Sequence, residues 1–255
     1  MRFYVPEWQG LAPNLLKRLK IDSECVICAR SGPHSLDLCD DCESLLQHCL
    51  HTDASGYVSH LCLTCGEELP GAGVELCDNC SRCNSAFTRI VAPYRYAFPL
   101  DRLLHSQKYG DKRVLGRIFG VLLATSVRAM TEAGMALPCR LIPVPLHADR
   151  RKMRGYNQSA DIARWCAHEL GLQSSSQAVS RVFDTGSLAG LSRVERQYRI
   201  LGAFRAHDSV AGQHLAIIDD VLTTGSTARE LARELYDTGA ASVELWVLAR
   251  TSRSR

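Results

Sequence analysis

The sequence predicts an α/β protein in which a parallel sheet flanked by helices follows a small cysteine-rich module. Two observations carry this prediction. Beyond about residue 90, short apolar runs alternate with amphipathic segments, which is typical of parallel strands joined by right-handed helical crossovers. Before that point long periodic runs are absent, and ten of the twelve cysteines fall between Cys25 and Cys83. The first part of the chain therefore depends on cysteine chemistry, whereas the second can bury an apolar core.

Length and composition limit the class of protein. The chain has 255 residues, enough for one α/β domain and a small module. Its 46% hydrophobic and 22% charged residues are typical of a folded protein and argue against disorder. The first twenty residues lack the apolar run and cleavage site of a secretory signal, and no stretch approaches the roughly 20 apolar residues of a membrane span. We therefore expect a cytoplasmic protein with no membrane span.

The chain divides into three expected segments. Residues 1–24 form a short amphipathic segment, residues 25–88 a cysteine-rich region, and residues 89–255 the α/β domain. Charge is distributed unevenly, with a net charge of −5 for residues 1–90 and +8 for residues 91–255. The basic part suits a polyanionic ligand such as a phosphorylated sugar, or nucleic acid as the weaker alternative.

The secondary structure of the second part follows from its hydrophobic pattern. Apolar runs predict the strands Ile90–Tyr96, Arg140–Val144, Ala178–Phe183, His214–Asp219 and Ser242–Ala249. Amphipathic spacing predicts the helices Leu100–Tyr109, Val114–Ala133, Gln158–Leu170 and Thr227–Thr238. Gly171 and Gly239 fit the ends of the last two helices, where a left-handed residue is common. Two polar segments are expected to be loops, Pro145–Gly155 and Thr185–Arg196.

Eight cysteines form two quartets of C-x-x-C pairs. The first quartet is Cys25, Cys28, Cys39 and Cys42, and the second is Cys62, Cys65, Cys77 and Cys80. Four thiolates in two tight hairpins suit tetrahedral zinc, and the lack of an export signal favours metal over disulfides. Four thiolates also saturate the ion and leave no position for a catalytic water. The sequence therefore predicts structural zinc.

The pairing within this region has alternatives. A cross-braced arrangement, in which each ion takes one C-x-x-C pair from each quartet, fits the same sequence. Cys83 also creates a second register, Cys80-x-x-Cys83, which could replace Cys77-x-x-Cys80. The number of zinc ions is accordingly one or two.

The segment Ile217–Thr227, IIDDVLTTGST, combines a buried strand, an acidic pair, a small polar loop and a helix start. The carboxylates of Asp219 and Asp220 can accept hydrogen bonds from a vicinal diol such as that of ribose. The small residues around Gly225 allow backbone N–H groups to wrap a phosphate at a helix N-terminus. A simple capping turn would explain one of these residues, and a Walker-type loop is excluded because its motif is absent. The segment predicts a site for a phosphorylated ribose.

This segment resembles the signature of type I phosphoribosyltransferases, which bind 5-phosphoribosyl-1-pyrophosphate (PRPP). A wider resemblance, to the ComF/GntX family, extends from about residue 25 to residue 251. It rests on the cysteine quartets and on the motifs Gln107-Lys108-Tyr109, IPVPLHADRRKMRGYNQSADIA (Ile142–Ala163) and AGLSRVERQYRILGAF (Ala189–Phe204). The resemblance implies a type I phosphoribosyltransferase-like fold, PRPP with Mg²⁺ as ligand, and an association with natural competence, the uptake of external DNA.

A pyrophosphate needs basic groups facing it, and the sequence offers Lys108, Arg150, Arg151, Lys152 and Arg154. The resemblance favours Arg154, Asn157 and Gln158 among the residues of its second motif. The expected PRPP ligands are Asp219, Asp220, Val221, Leu222, Thr223, Thr224, Gly225, Ser226, Thr227, Lys108, Arg154, Asn157 and Gln158. Asp219, Asp220 and Arg154 are also the expected catalytic residues.

Three functions are compatible with these features. The first is an enzyme that transfers phosphoribose to an acceptor, and the second is a non-catalytic PRPP sensor. The third is a competence accessory protein that binds single-stranded DNA or a helicase-like partner. Glutamine amidotransferase activity is disfavoured, because the chain begins Met1-Arg2-Phe3 without an N-terminal cysteine nucleophile and shows no glutaminase domain.

Overall fold

The computed structural model of the chain describes residues 23–32, 34, 36–49, 60–62, 64–69, 76–78, 80–81, 85–109, 114–183 and 193–251. The chain divides into two compact units, Met1–Leu45 and Leu46–Arg255. The expected N-terminal segment 1–24, apart from its last two residues, lies outside the described residues, as does Cys83. The three-segment division given above stays a prediction.

Two short hairpins hold the first C-x-x-C pair of each quartet. In the first unit, β1 (Ser23–Glu24) pairs antiparallel with β2 (Ser31–Gly32), and a short helix α1 (Asp40–Glu43) begins beside the second C-x-x-C pair. In the second unit, β3 (His60–Leu61) pairs antiparallel with β4 (Glu68–Leu69). Each hairpin therefore encloses two cysteines in its turn.

The remaining strands build the second unit. They are β5 (Arg89–Val91), β6 (Tyr94–Arg95), β7 (Arg140–Pro143), β8 (Gln173–Ser174), β9 (Val179–Arg181), β10 (Phe204–Ala206), β11 (His214–Leu222) and β12 (Ser242–Arg250). Six form one parallel sheet in the order β5–β12–β11–β7–β8, with β6 also paired to β12. β9 and β10 form a separate antiparallel pair. The predicted parallel sheet is confirmed, with the long strands β11 and β12 at its centre.

Helices cover this sheet. They are α2 (Leu100–Tyr109), α3 (Val114–Glu132), α4 (Ala148–Arg154), α5 (Gln158–Leu170), α6 (Arg193–Ile200) and α7 (Ser226–Asp237). α3 and α5 approach closely at Gly120, where a Cβ atom would lie 2.5 Å from the Cβ of Trp165 and 2.8 Å from the carbonyl oxygen of Ile162. Glycine therefore allows the two backbones to touch.

The helix α3 is, among the described residues, the one long and apolar enough to cross a membrane, with a mean hydropathy of 1.4. Half of that stretch is buried inside the protein, and Ile118, Phe119 and Leu123 are fully covered. Length and composition alone do not distinguish a membrane-spanning helix from a core helix.

Two loop predictions are wrong in part. Pro145–Gly155 contains the helix α4, because His147 caps its start by accepting a hydrogen bond from the Asp149 amide at 3.4 Å. Gly155, at φ 75°, ends it with an N–H bond to the Arg151 carbonyl. Residues 193–196, also expected to be a loop, belong to α6, while residues 184–192 lie outside the described residues.

Two buried glutamates on α7 fasten the β9–β10 pair to the sheet unit. The Oε1 atom of Glu230 accepts from the Gly202 amide at 2.6 Å, and that of Glu234 accepts from the Ala206 amide at 3.0 Å. Buried carboxylates that accept backbone N–H bonds satisfy groups that would otherwise cost free energy. The helix that follows the acidic pair thus also anchors the antiparallel β9–β10 pair.

Candidate functional site

The central strand β11 carries the acidic pair and leads into the proposed phosphate loop. It continues beyond Asp219, the last residue of the predicted strand, to Leu222, and α7 begins at Ser226. Gly225 lies at the N-terminus of this helix with a left-handed φ of 71°. A Cβ atom there would lie 3.0 Å from Nη1 of Arg229 and 3.1 Å from Cδ1 of Leu222. The turn therefore requires glycine for both its conformation and its space.

Side chains of α7 close the phosphate loop. The hydroxyls of Thr224 and Ser226 are hydrogen-bonded at 3.0 Å, and Nη1 of Arg229 donates to the Thr224 carbonyl at 2.5 Å. Sequence reasoning missed Arg229, although it lies four residues after Gly225, the spacing that returns a helical side chain to the same face. Its cation and the helix N-terminus both favour an anion at this loop.

The two carboxylates of the acidic pair have different surroundings. The Oδ1 atom of Asp219 accepts from the Ser159 hydroxyl at 2.9 Å and from the Asp220 amide at 3.0 Å. Asp220 is 9% exposed, and its Oδ1 accepts from the Val221 amide at 2.8 Å. Successive strand residues point to opposite faces, so the Ser159 bond ties Asp219 toward α5. Ser159 is a second residue that the sequence did not reveal as part of the site.

The motif around Asn157 organises the start of α5. The Asn157 side chain caps the helix, because Oδ1 accepts from the Ser159 amide at 3.1 Å and Nδ2 donates to the Val144 carbonyl at 3.0 Å. The hydroxyl of buried Tyr156 donates to the carbonyl of Gln107 near the end of α2. These bonds join the end of β7, the start of α5 and the end of α2.

For the other expected PRPP ligands the structure describes the position in the fold and, for some of them, the exposure of the side chain. Gln158 is the first residue of α5 and is buried. Lys108 lies in the last turn of α2 and Arg154 ends α4, but their side chains are outside the described part of the structure. Along the loop, Thr223 is exposed, while Ser226 and Thr227 are half-buried. The ligand roles of these residues stay predictions.

A cleft of about 860 Å³ opens beside α4 and the first turn of α5. Three cationic side chains, Arg151, Lys152 and Arg181, line it together with the carboxylate of Asp161. Ser159, in the same turn of α5, bonds instead to Asp219. The first turn of α5 therefore lies between the cleft and the acidic pair, and three of the four charged residues that line the cleft are basic.

The eight quartet cysteines come together as two tetrads, Cys25, Cys28, Cys39, Cys42 and Cys62, Cys65, Cys77, Cys80. Within each tetrad the sulfur atoms lie within 4.8 Å of one another, so each quartet is self-contained rather than cross-braced. The Sγ atoms of Cys28 and Cys39 are 3.7 Å apart, as are those of Cys65 and Cys77. Tetrahedral zinc with Zn–S bonds of about 2.3 Å separates its sulfurs by about 3.8 Å. Both tetrads could therefore hold zinc.

Electrostatics within the tetrads suit a cation. Burial opposes ionisation of Cys25 and Cys62, but backbone N–H groups directed at their sulfurs lower the pKa of Cys25 to about 6 and that of Cys62 to about 7. Burial, with the neighbouring thiols, raises the pKa of Cys42 and Cys80 well above the usual range. Within each tetrad one thiol is thus easier to ionise and another is harder to ionise, and a bound metal ion would favour the thiolate form of both.

Cys49 does not belong to either tetrad. It is buried, and its backbone N–H donates to the Pro93 carbonyl at 2.8 Å. The alternative register through Cys83 lies outside the described residues. The geometry of both tetrads is complete without either cysteine.

Comparison with known proteins places these features in a family. No family model matches the chain. The DNA utilization protein YhgH of Salmonella typhimurium is 37% identical over 193 residues, covering 75% of this chain and 84% of that protein. Competence protein F of Haemophilus influenzae is 31% identical over 193 residues, with 74% and 84% covered. Competence protein ComFC of Bacillus subtilis is 24% identical over 203 residues, with 75% and 78% covered.

Two solved structures show weaker likeness. The glutamine PRPP amidotransferase of B. subtilis is 16% identical with a TM-score of 0.34, covering 52% of this chain and 25% of that one. The hypoxanthine-guanine phosphoribosyltransferase of L. donovani is 19% identical with a TM-score of 0.31, covering 52% and 71%. The sequence relatives, which match three quarters of the chain, show that this protein belongs to the ComF family of competence and DNA utilization proteins.

Proposed function

We propose that this protein binds PRPP with Mg²⁺ through the phosphate loop and transfers the phosphoribosyl group to an acceptor. The observation that carries the proposal is the geometry of the central strand. β11 places Asp219 and Asp220 immediately before a turn that needs glycine and that leads into the N-terminus of α7. Few ligands other than a phosphorylated sugar offer both a diol for carboxylates and an anion for a helix N-terminus.

Different parts of PRPP would contact different parts of the site. Its 5-phosphate would accept bonds from the loop amides and from the hydroxyls of Thr223, Thr224 and Thr227, with Arg229 adding charge nearby. The ribose hydroxyls would donate to the acidic pair. The pyrophosphate would lie toward the basic residues Lys108 and Arg154. Mg²⁺ bound with PRPP would neutralise part of the pyrophosphate charge.

Phosphoribosyl transfer breaks the bond between C1 of the ribose and the pyrophosphate oxygen, and the acceptor then bonds to C1. Positive charge develops on the sugar as this happens, so the protein must mainly hold the reactants in line and stabilise the leaving group. The hydrogen bonds from Ser159 and the strand backbone fix Asp219 in place before the ligand arrives. Such a site needs no nucleophilic side chain.

Calorimetry with PRPP and Mg²⁺, followed by a screen for pyrophosphate release over amines and bases, tests the proposal. Binding together with acceptor-dependent release supports an enzyme. Binding without release for any acceptor supports the PRPP sensor instead. Absence of PRPP binding would contradict both.

The basic cleft favours a second function, contact with single-stranded DNA or with a competence partner. Arg151 and Lys152 are exposed on α4, and Arg181 faces them from β9. The names of the relatives, DNA utilization and competence proteins, agree with such a contact.

We also propose that zinc fills the tetrads and that the protein works in the cytoplasm.

Fluorescence anisotropy of a labelled oligonucleotide across a salt series tests DNA contact. Neutralising about three phosphates predicts a log–log slope near −2 for a single strand. Arg151→Ala with Lys152→Ala should flatten this slope, whereas Arg128→Ala, on the exposed side of α3, should not. A slope equal in all three proteins would show that the cleft does not contact DNA.

A further inference from the structure

Arg250, the last residue of β12, contacts the second tetrad directly. Its side chain is 6% exposed. One guanidinium nitrogen, Nη1, donates to the carbonyl of Cys65, and the other, Nη2, donates to the Glu67 carboxylate at 2.5 Å. A buried arginine from the sheet therefore binds the turn that contains a cysteine ligand.

The glycine of this turn is shaped to the arginine. Gly66, between Cys65 and Glu67, has a left-handed φ of 67°. A Cβ atom on Gly66 would lie 3.1 Å from Nη1 of Arg250 and 3.4 Å from Cγ2 of Ile90 on β5. The turn thus packs on the side chains of two sheet strands, and any larger residue would displace the guanidinium.

The backbone of Arg250 lies beside the phosphate loop. It pairs with Leu222, the last residue of β11 before Thr223. The next residue, Thr251, donates to the Leu222 carbonyl from its backbone amide at 3.0 Å and from its hydroxyl at 3.3 Å. The main chain that carries Arg250 therefore fixes the point where the phosphate loop begins.

Charge would strengthen this contact when the second tetrad holds a metal ion. Four thiolates around a divalent cation leave a net negative charge, and Glu67 adds another. The guanidinium of Arg250 is a buried cation placed beside both. A metal-filled tetrad holds the Cys65 turn in place against this cation, whereas an empty tetrad has no ion to fix the turn.

We propose that Arg250 is a positioning residue that couples the second tetrad to the phosphate loop, so that metal and a phosphorylated ligand bind cooperatively. The inference rests on the proposed function for the identity of the ligand, although the coupling itself can be measured without it. Thermodynamic linkage makes the effect reciprocal. Whatever factor metal adds to anion affinity, the anion must add to metal affinity at this tetrad.

Metal release to a chromophoric chelator tests the first half of the proposal. Arg250→Met and Glu67→Gln should speed release from one of the two tetrads by about 10- to 100-fold, the usual effect of losing a group that supports a metal ligand. The rate of metal release from Arg250→Lys should lie between the rates of these variants and that of the parent protein, because lysine keeps the charge but not the planar guanidinium. Arg30→Met is the matched control, since Arg30 pairs with an aspartate beside the first tetrad but is exposed. Release unchanged in Arg250→Met, or equally fast in Arg30→Met, would overturn the proposal.

Hydrogen exchange of residues 221–227 tests the second half without any ligand. Cys77→Ser with Cys80→Ser, which empties the second tetrad, should raise exchange in this segment at least about tenfold, while α5 serves as the internal reference. Cys39→Ser with Cys42→Ser should leave the segment unchanged. If the phosphate-loop amides exchange alike in both double variants, the coupling is wrong.

PRPP with Mg²⁺ completes the test. It should slow metal release from the second tetrad in the parent protein and lose this effect in Arg250→Met. If PRPP does not bind at all, the proposed function fails, and the exchange result alone then decides the coupling. If PRPP binds but does not alter metal release, the coupling is overturned while the proposed function stands.

Discussion

The two cysteine tetrads share one motif but have different support. The first, in the unit Met1–Leu45, has Arg30 paired with Asp41 at 2.5 Å, and both side chains are more than half exposed. The second, in the unit Leu46–Arg255, has Arg250 paired with Glu67 at the same distance, and the arginine is 6% exposed. Water and salt screen an exposed ion pair strongly and a buried or partly buried one much less. The second tetrad is therefore built into the sheet unit.

Equal spacing of the cysteine ligands therefore does not imply equal roles for the two tetrads. Both quartets read C-x-x-C twice, and both place sulfurs 3.7 Å apart. What separates them is an arginine 183 residues after Glu67 in the chain. The second tetrad should behave as part of the sheet unit, and the first as an independent module.

Emptying each tetrad in turn should give the largest contrast. Cys62→Ser with Cys65→Ser should destabilise the sheet unit by several kcal/mol, because metal-binding free energy is folding free energy where a site forms only on folding. Cys25→Ser with Cys28→Ser should leave the sheet unit close to its original stability. Thermal unfolding followed by calorimetry measures both. Equal losses in the two variants would mean that the tetrads are not distinct.

Replacing Arg250 and Arg30 in turn should give the next largest difference in stability between the two tetrads. Arg250→Met leaves the partly exposed Glu67 carboxylate and the Cys65 carbonyl without their partner and should cost about 1.5–3 kcal/mol, lowering the melting temperature by about 5 °C in a unit of this size. Arg30→Met should leave the melting temperature of the protein unchanged within error, since that pair is exposed. An Arg250→Met variant with the melting temperature of the parent protein would show that the buried arginine does not support the second tetrad.

Substituting the two glycines should give the smallest contrast. Gly66→Ala should cost about 1–2 kcal/mol for the left-handed backbone alone, and more as the Cβ atom presses on Arg250. Gly32→Ala meets only the ring of His34, at 3.0 Å, which can rotate away, so its cost should be near zero. Denaturant unfolding can resolve this difference. A Gly32→Ala variant as unstable as Gly66→Ala would show that the turn at Gly66 has no special requirement for glycine.

Much of the fold was predictable because long, regular elements leave strong patterns. The helices Leu100–Tyr109 and Gln158–Leu170 were expected with their observed limits, and four of the five predicted strands occur as single strands. The strand predicted at Ile90–Tyr96 is instead two short strands, Arg89–Val91 and Tyr94–Arg95. The two-residue strand β8 and the three-residue β10 were not expected, since so few residues show no periodicity. The helix α4 was taken for a loop because Pro145 and Gly155, which border it, are also typical of loops.

The candidate site was predictable where its residues are neighbours in the sequence. The acidic pair, the small loop and the cysteine quartets are all local motifs, and the structure arranges the quartets as two tetrads. Arg229, Ser159 and Arg250 were missed for a different reason. Ser159 and Arg250 act through partners brought near by folding, for which a single sequence carries no signal. Arg229 had a local signal, its spacing of four residues from Gly225, which was overlooked.

The acidic pair and the phosphate loop are proposed to bind PRPP. Calorimetric titration of PRPP with Mg²⁺ into Asp219→Asn with Asp220→Asn tests it most directly, with Asp237→Asn, an exposed carboxylate at the other end of α7, as control. Charge-assisted bonds worth about 1.5–3 kcal/mol each predict at least a tenfold loss of affinity in the double variant. The control should bind like the parent protein. A double variant that folds and binds PRPP with the affinity of the parent protein would contradict the account.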